Sequence, residues 1–400
     1  MINSTFNFQK YINYLFVALA FSFAISKAAT NFFEILILLL WVLEGNWKVK
    51  LDLYKKNALN IAVFSLIGFS LLSILWHGNI LMSLEYVAKY RHLLIIFVFY
   101  SSLQKKYISF ILSAFLLSIF LSELISYGIF FELIHYKNIL PSDPTPFMSH
   151  MTYSTVLAFT SSILLLKFLF ESNIKYKLPY IIFFLTATTN LFINGGRSGQ
   201  IIFIILIFLI FINFMKHKIK AIFFSLSLIF FVFSSAYYLS PNFQKRSTTL
   251  YSDISNIVHN KDYNGSAGAR LALNIIGLHT FLDYPLLGTG LAYSIKDADK
   301  YRQENSMNIN NIEIYADYHN AFLTISVQLG IIGLLISFLL VYSLVTLKYQ
   351  SKEYKIMSLL FITAFGLFSL THNTFHTMNP LVFFSLFAGF FNAVSRIDRA

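Results

Sequence analysis

The chain has 400 residues, 57% hydrophobic and only 12% charged, where a soluble domain carries roughly 25% charged residues. The net charge of +12 does not signal a nucleic-acid partner, because the basic residues fall in short clusters between apolar runs and no basic soluble domain exists to hold a polyanion. The absence of cysteine excludes disulfides, thiolate catalysis and cysteine-ligated metals.

The first apolar run follows a weak start, Met1 to Lys10, with no small-residue cleavage site, so it is read as a retained helix. Further apolar runs recur to the end of the chain, and each is continuous rather than alternating, which excludes a β-barrel. A bilayer core needs about 20 apolar residues per helix. Spans are expected at 12–28, 29–46, 57–76, 88–103, 108–131, 151–170, 178–194, 198–215, 219–240, 319–347, 355–372 and 379–395. Basic residues mark every second connection: Lys48, Lys50, Lys55 and Lys56; Lys105 and Lys106; Lys167, Lys175 and Lys177; Lys216, Lys218 and Lys220; Lys348, Lys352 and Lys355; then Arg396 and Arg399. By the positive-inside rule both termini are cytoplasmic. The polar segment 241–318 is long enough to translocate regardless of its charge and is placed outside. The expectation is an all-α integral membrane protein of about twelve transmembrane helices. It divides into helices over 1–240, a long periplasmic loop with short helices over 241–318, and further helices over 319–400.

The unusual residues gather on the outer side. Asn194-Gly195-Gly196-Arg197-Ser198-Gly199 opens the eighth span, and Gly268-Ala269-Arg270-Leu271-Ala272 opens a helical pattern to Phe281, inside the long loop. Pro285-Leu286-Leu287-Gly288-Thr289-Gly290 follows, and Tyr318-His319-Asn320 opens the tenth span. A helix N-terminus has free N–H groups and about half a positive charge, so it favours an anion. Arginines placed there suit a diphosphate, through bidentate pairing with phosphate oxygens. A histidine there is biased toward the neutral form that a general base requires.

Each residue also has a plainer reading. Arg197 can anchor a short turn near lipid headgroups, Arg270 can cap the local fold, and His319 can be an interfacial histidine bonded to a carbonyl. Lys89 and Arg91 flank the fourth span on the outer side, against the charge pattern; they either snorkel to headgroups or hold a lipid phosphate. His372 and His376, before the last span, are structural or line the same cavity. Gly288-Thr289-Gly290 lacks the third glycine and the strand of a dinucleotide loop. Asp297-x-Asp299 lacks the glycine and terminal glutamate of a calcium loop, and no His-Glu-x-x-His pattern occurs, so no metal is expected.

At these residues the chain resembles the bacterial O-antigen ligases and the related O-antigen polymerases. The resemblance is sharpest from Asn194 to Gly333, through Gly196-Arg197-Ser198, the Arg270 and Pro285–Gly290 motifs, Tyr318-His319-Asn320-Ala321-Phe322-Leu323 and Leu329-Gly330-Ile331-Ile332-Gly333. It implies a GT-C-like membrane glycosyltransferase of the bacterial inner membrane with a periplasmic active site. A glycan on undecaprenyl diphosphate would be moved onto a sugar hydroxyl of the lipid A core. Arg197 and Arg270 would hold the diphosphate and His319 would activate the acceptor. Lys89, Arg91, Asn320 and His372 are the further substrate-binding candidates, read from their places on the outer side rather than from the resemblance. No metal, nucleotide sugar or other cofactor is implied, and the only partners are the lipid-linked donor, the acceptor and membrane lipids. A polymerase would use the same donor with a different acceptor. A lipid-linked glycan transporter or flippase is the rival from another class, but it would place its charges near the midplane. The candidates inside spans are few, chiefly Glu34 and Glu123.

Overall fold

A computed structural model describes residues 7–76, 79–136, 138–291, 298–304, 307–310 and 317–399. The chain folds into helices α1 (Phe8–Ser22), α2 (Lys27–Glu44), α3 (Trp47–Tyr54), α4 (Ala58–Leu72), α5 (Ile80–Lys89), α6 (Leu94–Ser102), α7 (Ile108–Phe130), α8 (His150–Phe170) and α9 (Ile174–Ile193). They continue with α10 (Arg197–Phe214), α11 (Lys218–Leu239), α12 (Pro241–Asn260), α13 (Ser266–Asp283), α14 (Ala298–Glu304), α15 (Ala321–Val345), α16 (Lys352–Ser369) and α17 (Met378–Ile397). Among the described residues there is no β-strand, only one isolated bridge between Asp262 and Asn308. Many helices start where a short polar side chain satisfies a free N–H: Ser149 accepts from Thr152, Asn320 from Leu323 and Ser351 from Tyr354.

All twelve expected segments fall on helices. Among the described residues seven helices are long and apolar enough to cross a membrane, and an eighth span results if α2 and α3, bent by 113°, are counted together. The others fall short for visible reasons: α1 has 15 residues, and α16 carries Lys352, Glu353 and Lys355 in its first turn. The expected run 88–103 is not one helix. A 3₁₀ turn, Tyr90–Leu93, separates α5 from α6. The expected long loop contains three helices, α12, α13 and α14, not only the one whose pattern is readable at 268–281.

The connections sort onto two ends of the bundle. At one end Asn13 of α1 donates to the Ser102 carbonyl, Lys167 pairs with Glu353 at 2.7 Å, Lys352 donates to Phe214 and Arg396 to Leu103. These are the basic connections. At the other end lie the start of α8, the turn before α10, the start of α13, and the turn between α16 and α17. Between the ends the core is largely phenylalanine: Phe159 meets Phe361, Phe383 and Phe387 with centroids within 6.0 Å. Such aromatic contacts hold helices together where water does not drive them. α17 is the central helix, 89% buried, whereas α11 is 17% buried and forms an outer edge.

Candidate functional site

The site lies at the end opposite the basic connections. α10 begins there because Gly196 and Gly199 let its first turn press against α8: a Cβ at either position would run into Ser154. That close fit carries Arg197 to the first turn of α13, where its Nη2 donates to Ser266 Oγ at 3.1 Å. Arg270 is one turn further along the same face of α13, with Nη2 3.3 Å from Met151 Sδ on α8. Thr371, beside His372, donates to Ser198 Oγ at 3.3 Å and ties the arginine turn to the turn between α16 and α17.

His319 stands on the other side of Arg270. Its backbone is left-handed, with φ of 50°, a region open to histidine but uncommon. Asp317 sets that conformation by accepting the His319 N–H at 2.7 Å. The same carboxylate oxygen is 3.8 Å from His319 Nδ1. The rings of His319 and His372 stack with centroids 6.3 Å apart. His372 is buried, its Nε2 lies 3.3 Å from Thr377 Oγ1, and its Nδ1 has no hydrogen-bond partner among the described residues. His376 lies against Tyr86, ring centroids 4.4 Å apart and tilted by 31°, and its Nε2 is 3.2 Å from Lys89 Nζ.

These imidazoles resist protonation. Burial pushes His319 below the usual histidine value; Asp317 opposes this and the Arg270 charge adds to it. Burial holds His372 down at about 4, against the pull of Asp317 and with the push of His319, Arg270 and His376. His376 is also pushed down to about 4, by burial first and by Lys89 second. The expected cause was the dipole of the tenth span. Instead Asn320 is the N-cap of α15, His319 precedes it, and desolvation is the leading cause.

Arg197, Arg270, His319, His372 and Lys89 are therefore brought to one cluster, the last through His376. Asn320 adjoins it, but its side chain caps Leu323 and donates to Asn274 Oδ1 at 2.9 Å, and Asn274 in turn holds the Arg270 carbonyl. Arg91 turns away: it is exposed and donates to Asn31 and to the Ala88 carbonyl. Asp317 joins the site where the sequence showed only one of several dispersed acids. Its spacing to His319, two residues in a turn, was the available signal. Asp297 lies outside the described residues, as does the side chain of Asp299.

The Pro285–Gly290 motif has a structural task. α15 is interrupted at Gly330, with φ of 63°, and the turn closes over the break: Thr289 and Gly290 donate to the Val327 and Gln328 carbonyls, and Ile331 to that of Pro285. Gly288, with φ of 70°, faces Gly330 so closely that a side chain at either would meet backbone. Only glycine allows both.

The protein is thus a multi-helical membrane protein whose arginine and histidine cluster lies at one end of its bundle. Residues 182–338 match the sequence model of the O-antigen ligase family, the family that the motifs resemble. That match contains Arg197, Arg270, His319 and Asn320; Lys89, Arg91 and His372 lie outside it. It is a ligase and polymerase family of glycosyltransferase type. No curated protein matches the chain.

Proposed function

We propose that the protein is an O-antigen ligase of the bacterial inner membrane, which moves a glycan from undecaprenyl diphosphate to a sugar hydroxyl of the lipid A core on the periplasmic face. The observation that carries this reading is the convergence of Arg197, Arg270 and His319 at one end of the bundle, all within the matched segment. The basic connections at the opposite end support a cytoplasmic position for that end and for both termini. We read the chain as twelve spans, with 241–318 as the periplasmic segment.

Arg197 and Arg270 hold the diphosphate and neutralise the charge that builds on it as the anomeric C–O bond breaks. Neutral His319 accepts the proton of the acceptor hydroxyl, whose oxygen attacks the anomeric carbon from the face opposite the leaving group. The product is inverted and undecaprenyl diphosphate departs; no covalent sugar–enzyme intermediate forms and no metal is needed. Asp317 orients His319. The unpartnered Nδ1 of His372 supports an acceptor hydroxyl beside it, with Lys89 and His376 extending that wall. Asn320 acts by positioning, through Asn274.

Deleting the gene tests the acceptor. A ligase deletion leaves lipid A core without polymer while lipid-linked chains accumulate. Single glycan units on the core in a gel of extracted lipopolysaccharide would instead identify a polymerase. Unchanged transfer in EDTA is expected of the purified protein.

A further inference from the structure

Helix α13 carries more than Arg270. Ala269, Leu273, Ile276 and Thr280 are buried on one side of it. On the opposite side Leu271, Ile275, Leu278 and Leu282 recur at helical spacing. Leu271, Leu278 and Leu282 are 44%, 52% and 61% exposed, and the turn that follows adds Leu286 at 70%. A line of exposed leucines marks a surface that meets something apolar.

The neighbouring helix indicates what that is. Asn274 bonds to Asn320, Gly277 lies against Leu323, and Pro285 accepts from Ile331; each pair is 46 positions apart. α13 therefore runs beside the first half of α15 in the same direction, and α15 is one of the candidate membrane spans. Where α15 breaks, the freed backbone groups find partners in the turn 285–290, as a break at membrane depth demands. Past the break, α15 exposes Leu335, Phe338 and Tyr342. The leucine stripe of α13 continues that apolar surface.

We infer that α13 and the turn 284–290 are seated in the bilayer leaflet on the site's side, with the leucine stripe against lipid acyl chains. The segment between α11 and α15 is then in part an interfacial element rather than a loop in water. Arg270 immediately precedes Leu271 and lies about 100° round the helix from it, so the stripe fixes Arg270 at headgroup depth, where the phosphates of a lipid-linked substrate reside. This last consequence rests on the proposed donor; the seating of α13 does not.

The cysteine-free sequence suits a direct test. Single variants Leu278→Cys, Leu282→Cys and Leu286→Cys of the full chain are nitroxide-labelled in vesicles of phosphatidylethanolamine and phosphatidylglycerol. Phe338→Cys on α15 is the lipid-facing control and exposed Asn260→Cys the aqueous one. Collision with oxygen is expected to exceed collision with a water-soluble nickel chelate at all three positions, as at Phe338. Chelate-dominated collisions, as at Asn260, would overturn the inference, and so would exclusion of both probes, which means that a protein or a second copy covers the stripe. Glycan transfer by the same preparations separates the two claims. An inactive protein with lipid-facing labels removes the ligase reading alone; an active one with water-facing labels removes this inference alone.

Discussion

The two sides of the site treat charge in opposite ways. On one side Arg197 and Arg270 are half-buried at the starts of α10 and α13, where their guanidinium groups reach the Ser266 hydroxyl and the Met151 thioether. On the other side His319 and His372 stack on each other, His372 also on Phe368, and His376 lies against Tyr86; burial lowers the proton affinity of all three. The guanidinium charge stands where an anion would bind, and protonation of imidazole is suppressed where a proton would be taken. Arg270 belongs to both sides, because its charge is among the causes that hold His319 down.

The sharpest way to break this division is to remove the base. His319→Ala is expected to lower turnover by about 10²–10⁴ while binding of the lipid-linked donor, measured separately by isothermal titration, is retained. Near wild-type turnover would move the base elsewhere, with His372 next in line. Next in size come the arginines. Arg270→Ala and Arg197→Ala are expected to cost about 10²–10³ in turnover, and here donor binding falls as well. Lysine at either position restores only part, because it cannot pair bidentately. Wild-type activity in the alanine variants, at normal membrane levels, would take the arginines out of the site.

The arginine side was more legible in the sequence than the histidine side, for a physical reason. Arg197 and Arg270 sit in local motifs whose glycines and helix starts are neighbours in the chain, so residue order alone places them. His372 reaches His319, and His376 reaches Lys89, only because α16 and α17 return to the same end of the bundle, so the sequence left open whether these histidines were structural or lined the cavity. Apolar runs gave the helices, but not the 3₁₀ turn at Tyr90–Leu93 that sends Lys89 toward His376 and Arg91 toward Asn31. The stitching of Gly288 to Gly330 was likewise out of reach, since a glycine in a loop and a glycine in a span give no sign of touching.

Asp317 offers a smaller and more discriminating test. Activity needs His319 neutral, so the acid limb of kcat/KM should lie below about 6.5, the unperturbed histidine value. Asp317 raises the His319 pKa against the effect of burial. Asp317→Asn removes that pull and moves the limb to lower pH, with a weaker base and a modest loss of rate on the plateau. A limb that moves upward would show that the carboxylate does not act on His319 through its charge. The same signs bear on stability. His372 and His376 bind fewer protons folded than unfolded between their lowered values near 4 and about 6.5. The stability they contribute above 6.5 is therefore lost as pH falls through that window, and thermal unfolding in detergent should follow it.

The smallest effect separates two cations that stand two residues apart. Lys89 Nζ meets both nitrogens of His376 and lies 4.8 Å from the Tyr86 ring centre, on the histidine side of the site. Arg91 is exposed, and its contacts are Asn31 on α2 and a carbonyl of its own turn. An exposed hydrogen-bonded arginine adds little to stability, and this one faces away from the arginines and histidines where the reaction is placed. Lys89→Ala should therefore raise KM for the acceptor severalfold while leaving donor binding intact, and Arg91→Ala should leave both unchanged. The comparison is read by titrating each substrate against the two purified variants. If Arg91→Ala weakens the donor and Lys89→Ala does nothing, the 3₁₀ turn presents the opposite cation to the substrate, and the wall assigned to Lys89 and His376 is not part of the site.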